Sequence, residues 1–167
     1  MKIMYEKYGE FDSTEELNKA AAGFLAEGDL KSLRELAEEN GLDGEDAEDY
    51  IAGDIPELAT VVSAAMGKLD LEEKEIDKKS VIEKMPLLVI HNMTKGMCTD
   101  EAIAAAVMGK GKRIEKIFGL MRKAAQKHKS GGTGFCCGTD RQLCNIIRAY
   151  YLDGDKGAEE VIEALYK

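Results

Sequence analysis

Tryptophan is absent from this chain of 167 residues, proline and histidine occur twice each, and Phe and Tyr together make up 6% of it. So few rings argue against the base-stacking platforms on which single-stranded nucleic acid is held. They also require a core of Leu, Ile, Val, Met and Ala. No apolar run approaches the ~20 residues of a membrane-spanning helix, and no apolar N-terminal stretch precedes a small-residue cleavage site. The chain is therefore expected in the cytoplasm with its thiols reduced. Hydrophobic residues at 44% fit a globular chain, long enough for one core or two small helical halves.

The motifs of common chemistries are missing as well. Cys98, Cys136, Cys137 and Cys144 do not form the paired knuckles of a zinc site. Ordinary buried or loop thiols are expected, with no metal and no cofactor. His91 and His128 neighbour no Ser or Cys in a triad arrangement. Asp43 to Asp54 fails as a calcium loop, because the turn glycine is replaced by Glu48, the fifth position by Ala47 and the twelfth by Asp54. The glycine-rich stretches at Gly109 to Lys112 and Gly131 to Gly134 lack the Gly-Lys-Ser/Thr ending of a phosphate loop. The chain is not expected to be an enzyme.

One further absence organises the rest. From Glu35 to Glu57 there is no Lys or Arg, while ten carboxylates stand there, and Leu36, Leu42, Tyr50, Ile51 and Ile55 recur among them at burial spacing. This is an acidic face on folded helices, not a structureless tail. Residues 1 to 83 carry 23 acidic and 9 basic residues, and residues 84 to 167 carry 9 and 14, within a net charge of −9. The sequence is a charge dipole along its length.

Periodicity and caps predict an all-α fold, a compact array of about eight or nine short helices. Residues 1 to 12 form a lead-in or short strand. Ser13, with Glu16 as its box partner, opens a helix to Glu27; Asp29 caps a second to Glu39 and Asp43 a third to Ala52. Pro56 sits near the start of a fourth helix that ends about Lys68. The chain then divides into an acidic half over 1 to 70, a charged connector over 71 to 80 and a second half over 81 to 167. In that half Val81, Ile82, Met85, Leu88, Val89 and Met93 predict the central core helix, kinked or restarted at Pro86. Thr99 opens a helix that buries Ala102, Ile103, Ala106 and Val107. Another runs from Arg113 to about His128, with an apolar face at Ile114, Ile117, Phe118, Met121 and Ala125. A Gly-rich loop at 129 to 139, a helix from Asp140 through Tyr151 and a last one from Gly157 to Tyr166 complete the chain.

Each charged face has two readings. The acidic one is either an ordinary solubilising surface or a surface complementary to something strongly positive. Lys112, Arg113, Lys116, Arg122, Lys123 and Lys127 form the densest basic run. That run is either a solvated face balancing the acidic half or a set of phosphate contacts to nucleic acid.

The segments YEKYGEFDSTEELNKAA, LAEGDLKSLRELAEENGLDGEDAEDYIAGDIPELAT and GKL resemble the N-terminal half of a family of small phage and mobile-element proteins, the type II anti-CRISPR inhibitors. The segment TDRQLCNIIRAYYLDGD is similar to the closing (S/T)DRxVxxWAxxYYL segment of PcfK-like proteins of conjugative elements, with Asn145, Ile146 and Ile147 where aromatic residues or Ala stand in that pattern. The resemblance implies a non-enzymatic protein of the host bacterial cytoplasm that binds an RNA-guided endonuclease of a type II CRISPR system and acts by occupancy. It supplies no catalytic residues. Such a nuclease holds nucleic acid in positively charged channels, so Glu45, Asp46, Glu48, Asp49 and Asp54 are the expected partner-binding residues. The alternative is a nucleic-acid-binding accessory protein of a mobile element that uses the basic run. Oligomeric state stays open.

Overall fold

Ser13 begins the first helix as its neighbours require: its side chain accepts from the Glu16 backbone N–H, and the Glu16 carboxylate accepts from the N–H of Asp12. In the computed structural model, which describes residues 4–167, this helix, α1, spans Thr14–Glu27 and ends at Gly28 in the left-handed region. Next come α2 (Leu30–Glu39), capped by Asp29, and α3 (Gly44–Ala52), capped by Asp43. The remaining helices are α4 (Val61–Ile76), α5 (Val81–Met97), α6 (Glu101–Met108), α7 (Ile114–Lys127) and α8 (Asp140–Ala164). The fold is all-α. Among the described residues the only β pairing is an isolated bridge between Ser130 and Thr133.

The chain divides into two compact units that interleave in sequence. The first comprises Met1–Lys74 and Cys98–Gly111. In it α2 packs against both α1 and α3, and Leu17, Ala21, Leu33, Leu36, Leu58, Leu69, Ile103 and Val107 are buried. The second comprises Glu75–Met97 and Lys112–Lys167. There α5, α7 and α8 pack on one another, burying Leu87, Ile90, Ile114, Ile117, Ile146, Tyr150 and Ile162. Short helices of this length are stable only through such packing.

Several expectations change. Pro56 lies in the turn before α4, not in the helix, because the chain is pinned further on. Asn18 donates to the Ala59 carbonyl at 2.8 Å and accepts from the Ala59 N–H at 3.0 Å. Thr60 and Ser63 then cap each other reciprocally, which fixes the helix start at Val61. The stretch 71–80, expected as a connector, is helical as far as Ile76, since Leu69, Glu72 and Ile76 continue one buried stripe at three- and four-residue spacing. The caps of α6 and α8 are Asp100 and Thr139, each one residue from the expected Thr99 and Asp140. Ala102 is exposed and Ala106 only half-buried, while Ala104 and Met108 join Ile103 and Val107 inside. The two expected final helices are present as the two parts of α8, which meet directly at a break at Gly154 with φ 78° and ψ −169°, so the second starts earlier than the expected Gly157. No strand forms in the described part of the lead-in; residues 1–3 lie outside the described residues.

The largest change concerns α5. Its buried side is Leu87, Ile90, His91 and Thr94, while Val81, Ile82, Met85 and Val89 are 75%, 87%, 60% and 49% exposed. Thr94 tolerates burial because its hydroxyl donates to the Ile90 carbonyl at 2.8 Å. Hydrophobicity alone therefore indicated the wrong side of the helix. Pro86 is accommodated within a continuous helix. As the sixth residue it removes only the bond to the carbonyl of Ile82, a residue that faces solvent.

Candidate partner-binding face

The acidic face is built on α3. Asp43 accepts from the Glu45 N–H at 3.0 Å, and Glu45 and Asp46 occupy the first turn, where negative charge meets the positive end of the helix dipole. Ala47 and Tyr50 are buried and anchor the helix to its unit. Their spacing turns Glu45, Glu48 and Asp49 outward, all exposed, with Asp46 half-buried at the edge. Gly53 reverses the chain at φ 83°. The next N–H, that of Asp54, donates back to the Asp49 carbonyl at 2.9 Å, which holds exposed Asp54 beside the end of α3.

The structure sorts the ten carboxylates of this stretch into two groups. Glu35 pairs with Lys7, which holds its carboxyl below the usual range. Glu39 accepts from the backbone N–H groups of Lys7 and Tyr8 at 2.9 and 3.0 Å. Glu48 takes two bonds from the Arg34 guanidinium, at 2.5 and 2.9 Å, which lower its pKa. Asp43 is spent as a cap. The other six, Glu38, Glu45, Asp46, Asp49, Asp54 and Glu57, meet no cation among the described residues. Four of the five residues expected to bind a partner thus remain uncompensated, and Glu48 is neutralised within the fold. Sequence reasoning missed the Arg34–Glu48 pair because the partners lie 14 residues apart on different helices. Glu38 and Glu57 belong with the free set, and the lack of any cation between Glu35 and Glu57 was the signal for them.

The basic run fares differently. Lys112 is half-buried, donates to the Tyr150 carbonyl at 2.7 Å and lies 4.6 Å from the centre of the Tyr150 ring; burial lowers its pKa. It caps the last turn of α8 before the break at Gly154, where a cation suits the helix C-terminus. Arg113 donates to the Lys112 carbonyl at 2.7 Å, and its backbone N–H donates to the Tyr150 hydroxyl at 3.0 Å. Lys123 and Lys127 face Glu159 and Glu163 of α8 at 4.0 and 2.8 Å, and His128 also meets Glu163 at 2.9 Å. Only Lys116 and Arg122 of the six stand exposed with no partner among the described residues.

Three of the four thiols are poorly disposed to nucleophilic chemistry. Burial pushes Cys98 and Cys136 up to about 11 and raises Cys137, so none of the three is a ready thiolate near neutral pH. Comparison with family models, with curated proteins and with solved structures returns no match.

Proposed function

We propose that this protein is a non-enzymatic inhibitor that binds a type II RNA-guided DNA endonuclease and competes with nucleic acid through the carboxylates around α3. The observation that carries the reading is the uncompensated acidic face. Glu45, Asp46 and Asp49 fall within five residues, a rise of about 6 Å along the helix. That is roughly one charge per 3 Å, within a factor of two of the roughly 1.7 Å per charge of a DNA duplex. Caps at both ends of α3 and the buried Tyr50 hold these charges in place before any partner arrives, which limits the ordering cost of binding. The segments that resemble the anti-CRISPR inhibitors include this stretch.

The alternative, direct nucleic-acid binding by the basic run, is less well supported. Four of its six cations already serve contacts within their own unit, leaving Lys116 and Arg122 to meet phosphate. Two such contacts give little affinity at physiological salt.

The test is an order-of-addition assay with a purified type II endonuclease, its guide and a target DNA. Protein added before the DNA is expected to suppress cleavage, and protein added after DNA binding to do so far less. Unchanged cleavage in every order across several orthologous nucleases overturns the proposal.

A further inference from the structure

We infer that the outer side of α5 is a self-association surface that pairs with the same side of a second copy of this chain. Val81, Ile82, Met85 and Val89 are exposed there, and exposed Asn92 and Gly96 continue the same side. Four helical turns thus present no charge, in a chain that is 33% charged. A contiguous exposed apolar strip of this kind marks an interaction surface. The inference is independent of the acidic face.

The rim of the strip points to the partner. Residues 75 to 84 carry three acidic and three basic side chains, a net of zero, and they are engaged locally. Lys78 pairs with Glu75, Lys84 with Asp77 and Lys79 with Glu115, while Glu83 accepts from the Ser80 hydroxyl at 2.7 Å. A strongly acidic or basic partner finds no free counter-charge at this rim. A second copy, in contrast, can approach here without the like-charge repulsion that a chain of net charge −9 presents elsewhere.

The spacing is self-complementary as well. Val81, Met85, Leu88 and Asn92 are separated by four, three and four residues, the repeat of a coiled-coil seam, flanked by Ile82, Val89 and Gly96 at intervals of seven. Consider an antiparallel two-fold pair centred between residues 88 and 89. Val81 then meets the partner subunit's Gly96, Met85 meets the partner subunit's Asn92, and Leu88 meets the partner subunit's Val89. Large side chains oppose smaller ones at both ends, and the contact is isologous, as a closed dimer requires. Four turns of helix bury less than the roughly 1,200 Å² at the low end of stable interfaces, so the pairing is weak and concentration-dependent.

Sedimentation equilibrium of the full chain from about 1 µM to about 1 mM, the range of weak complexes, tests this. The mass is expected to climb from 18.3 kDa towards twice that value. Met85→Glu and Ile82→Glu are expected to stay at 18.3 kDa with an unchanged helical circular dichroism spectrum. Under mild oxidation Val89→Cys should cross-link to its own copy. Val81→Cys should not, because the antiparallel pair holds the two copies of that position about 22 Å apart. A wild-type chain that remains monomeric throughout, the strip being left bare or covered by some other protein, overturns the inference. So does dimerisation that Met85→Glu leaves intact, or cross-linking through residue 81 in place of 89.

Discussion

Lys68 is buried in α4, and its ammonium is surrounded by oxygen: Glu10 at 2.9 Å, the Gly109 carbonyl at 2.8 Å and the Met108 carbonyl at 3.3 Å. Glu10 also accepts from the Gly111 N–H at 3.1 Å, so one ion pair closes the end of α6 against the lead-in. Lys68→Met removes the cation that faces the mostly buried Glu10 carboxylate. Breaking such a pair is expected to destabilise the chain by about 3–5 kcal/mol, measured by urea unfolding, and Lys68→Met combined with Glu10→Gln should recover part of the loss. The arrangement could not be read from the sequence, since its partners lie about 40 and 58 residues from Lys68. Cys98 gives a second test at this scale. Burial raises its pKa to about 11, so the folded state favours the protonated thiol. Its contribution to stability is intact below the unfolded-chain value of 9.0 and is lost as pH rises through about 11. The urea midpoint should fall between pH 9 and 11, and Cys98→Ala should flatten that fall; an equal fall in both proteins would contradict the assignment.

At the scale of elements, glycines fix where helices break and how closely they approach. Gly154 combines φ 78° with ψ −169°, a region that residues with a Cβ avoid. Gly154→Ala is expected to cost about 1–3 kcal/mol, read as a lower melting temperature. Gly67 of α4 lies against the backbone of Asn40 and Gly41, and a Cβ there would stand 2.5 Å from the Asn40 carbonyl oxygen. Gly67→Ala must push that turn away, at a cost of about 1–3 kcal/mol. The first three helices were legible to the residue, because Ser13, Asp29 and Asp43 are local caps and Gly28 and Gly53 local stops. Where the outcome depends on a distant partner, legibility failed. Asn18 holding Ala59 delays α4, and the surroundings of α5 decide which of its two apolar-looking sides is covered. Among the candidate site residues, Glu45, Asp46, Asp49 and Asp54 were readable from local composition. The engagement of Glu48, Lys112, Lys123 and Lys127 was not, because each partner comes from another helix, nor was that of Arg113, whose side chain turns back to the neighbouring Lys112 carbonyl.

For the whole molecule, charge divides between the two units as it does between the two halves of the sequence, with net values of −14 and +5 in both divisions. Met1–Lys74 with Cys98–Gly111 carries 22 acidic and 8 basic residues, and Glu75–Met97 with Lys112–Lys167 carries 10 and 15. In the second unit much of the basic surface is met by its own carboxylates, whereas the acidic surface around α3 keeps most of its charge. An inhibitor using that surface should lose potency as salt rises, since exposed charges are screened over about 8 Å at physiological ionic strength. The most direct test is DNA cleavage by a guide-loaded type II endonuclease titrated with wild-type protein and with a variant carrying Glu45→Lys, Asp46→Lys, Asp49→Lys and Asp54→Lys. Arg34→Gln combined with Glu48→Gln serves as the charge-neutral control. Suppression by the wild type and the control, with at least about a tenfold loss of potency in the reversed variant, equivalent to 1.4 kcal/mol, is the predicted result. Equal inhibition by wild-type and reversed proteins, or cleavage unaffected by either, would contradict it.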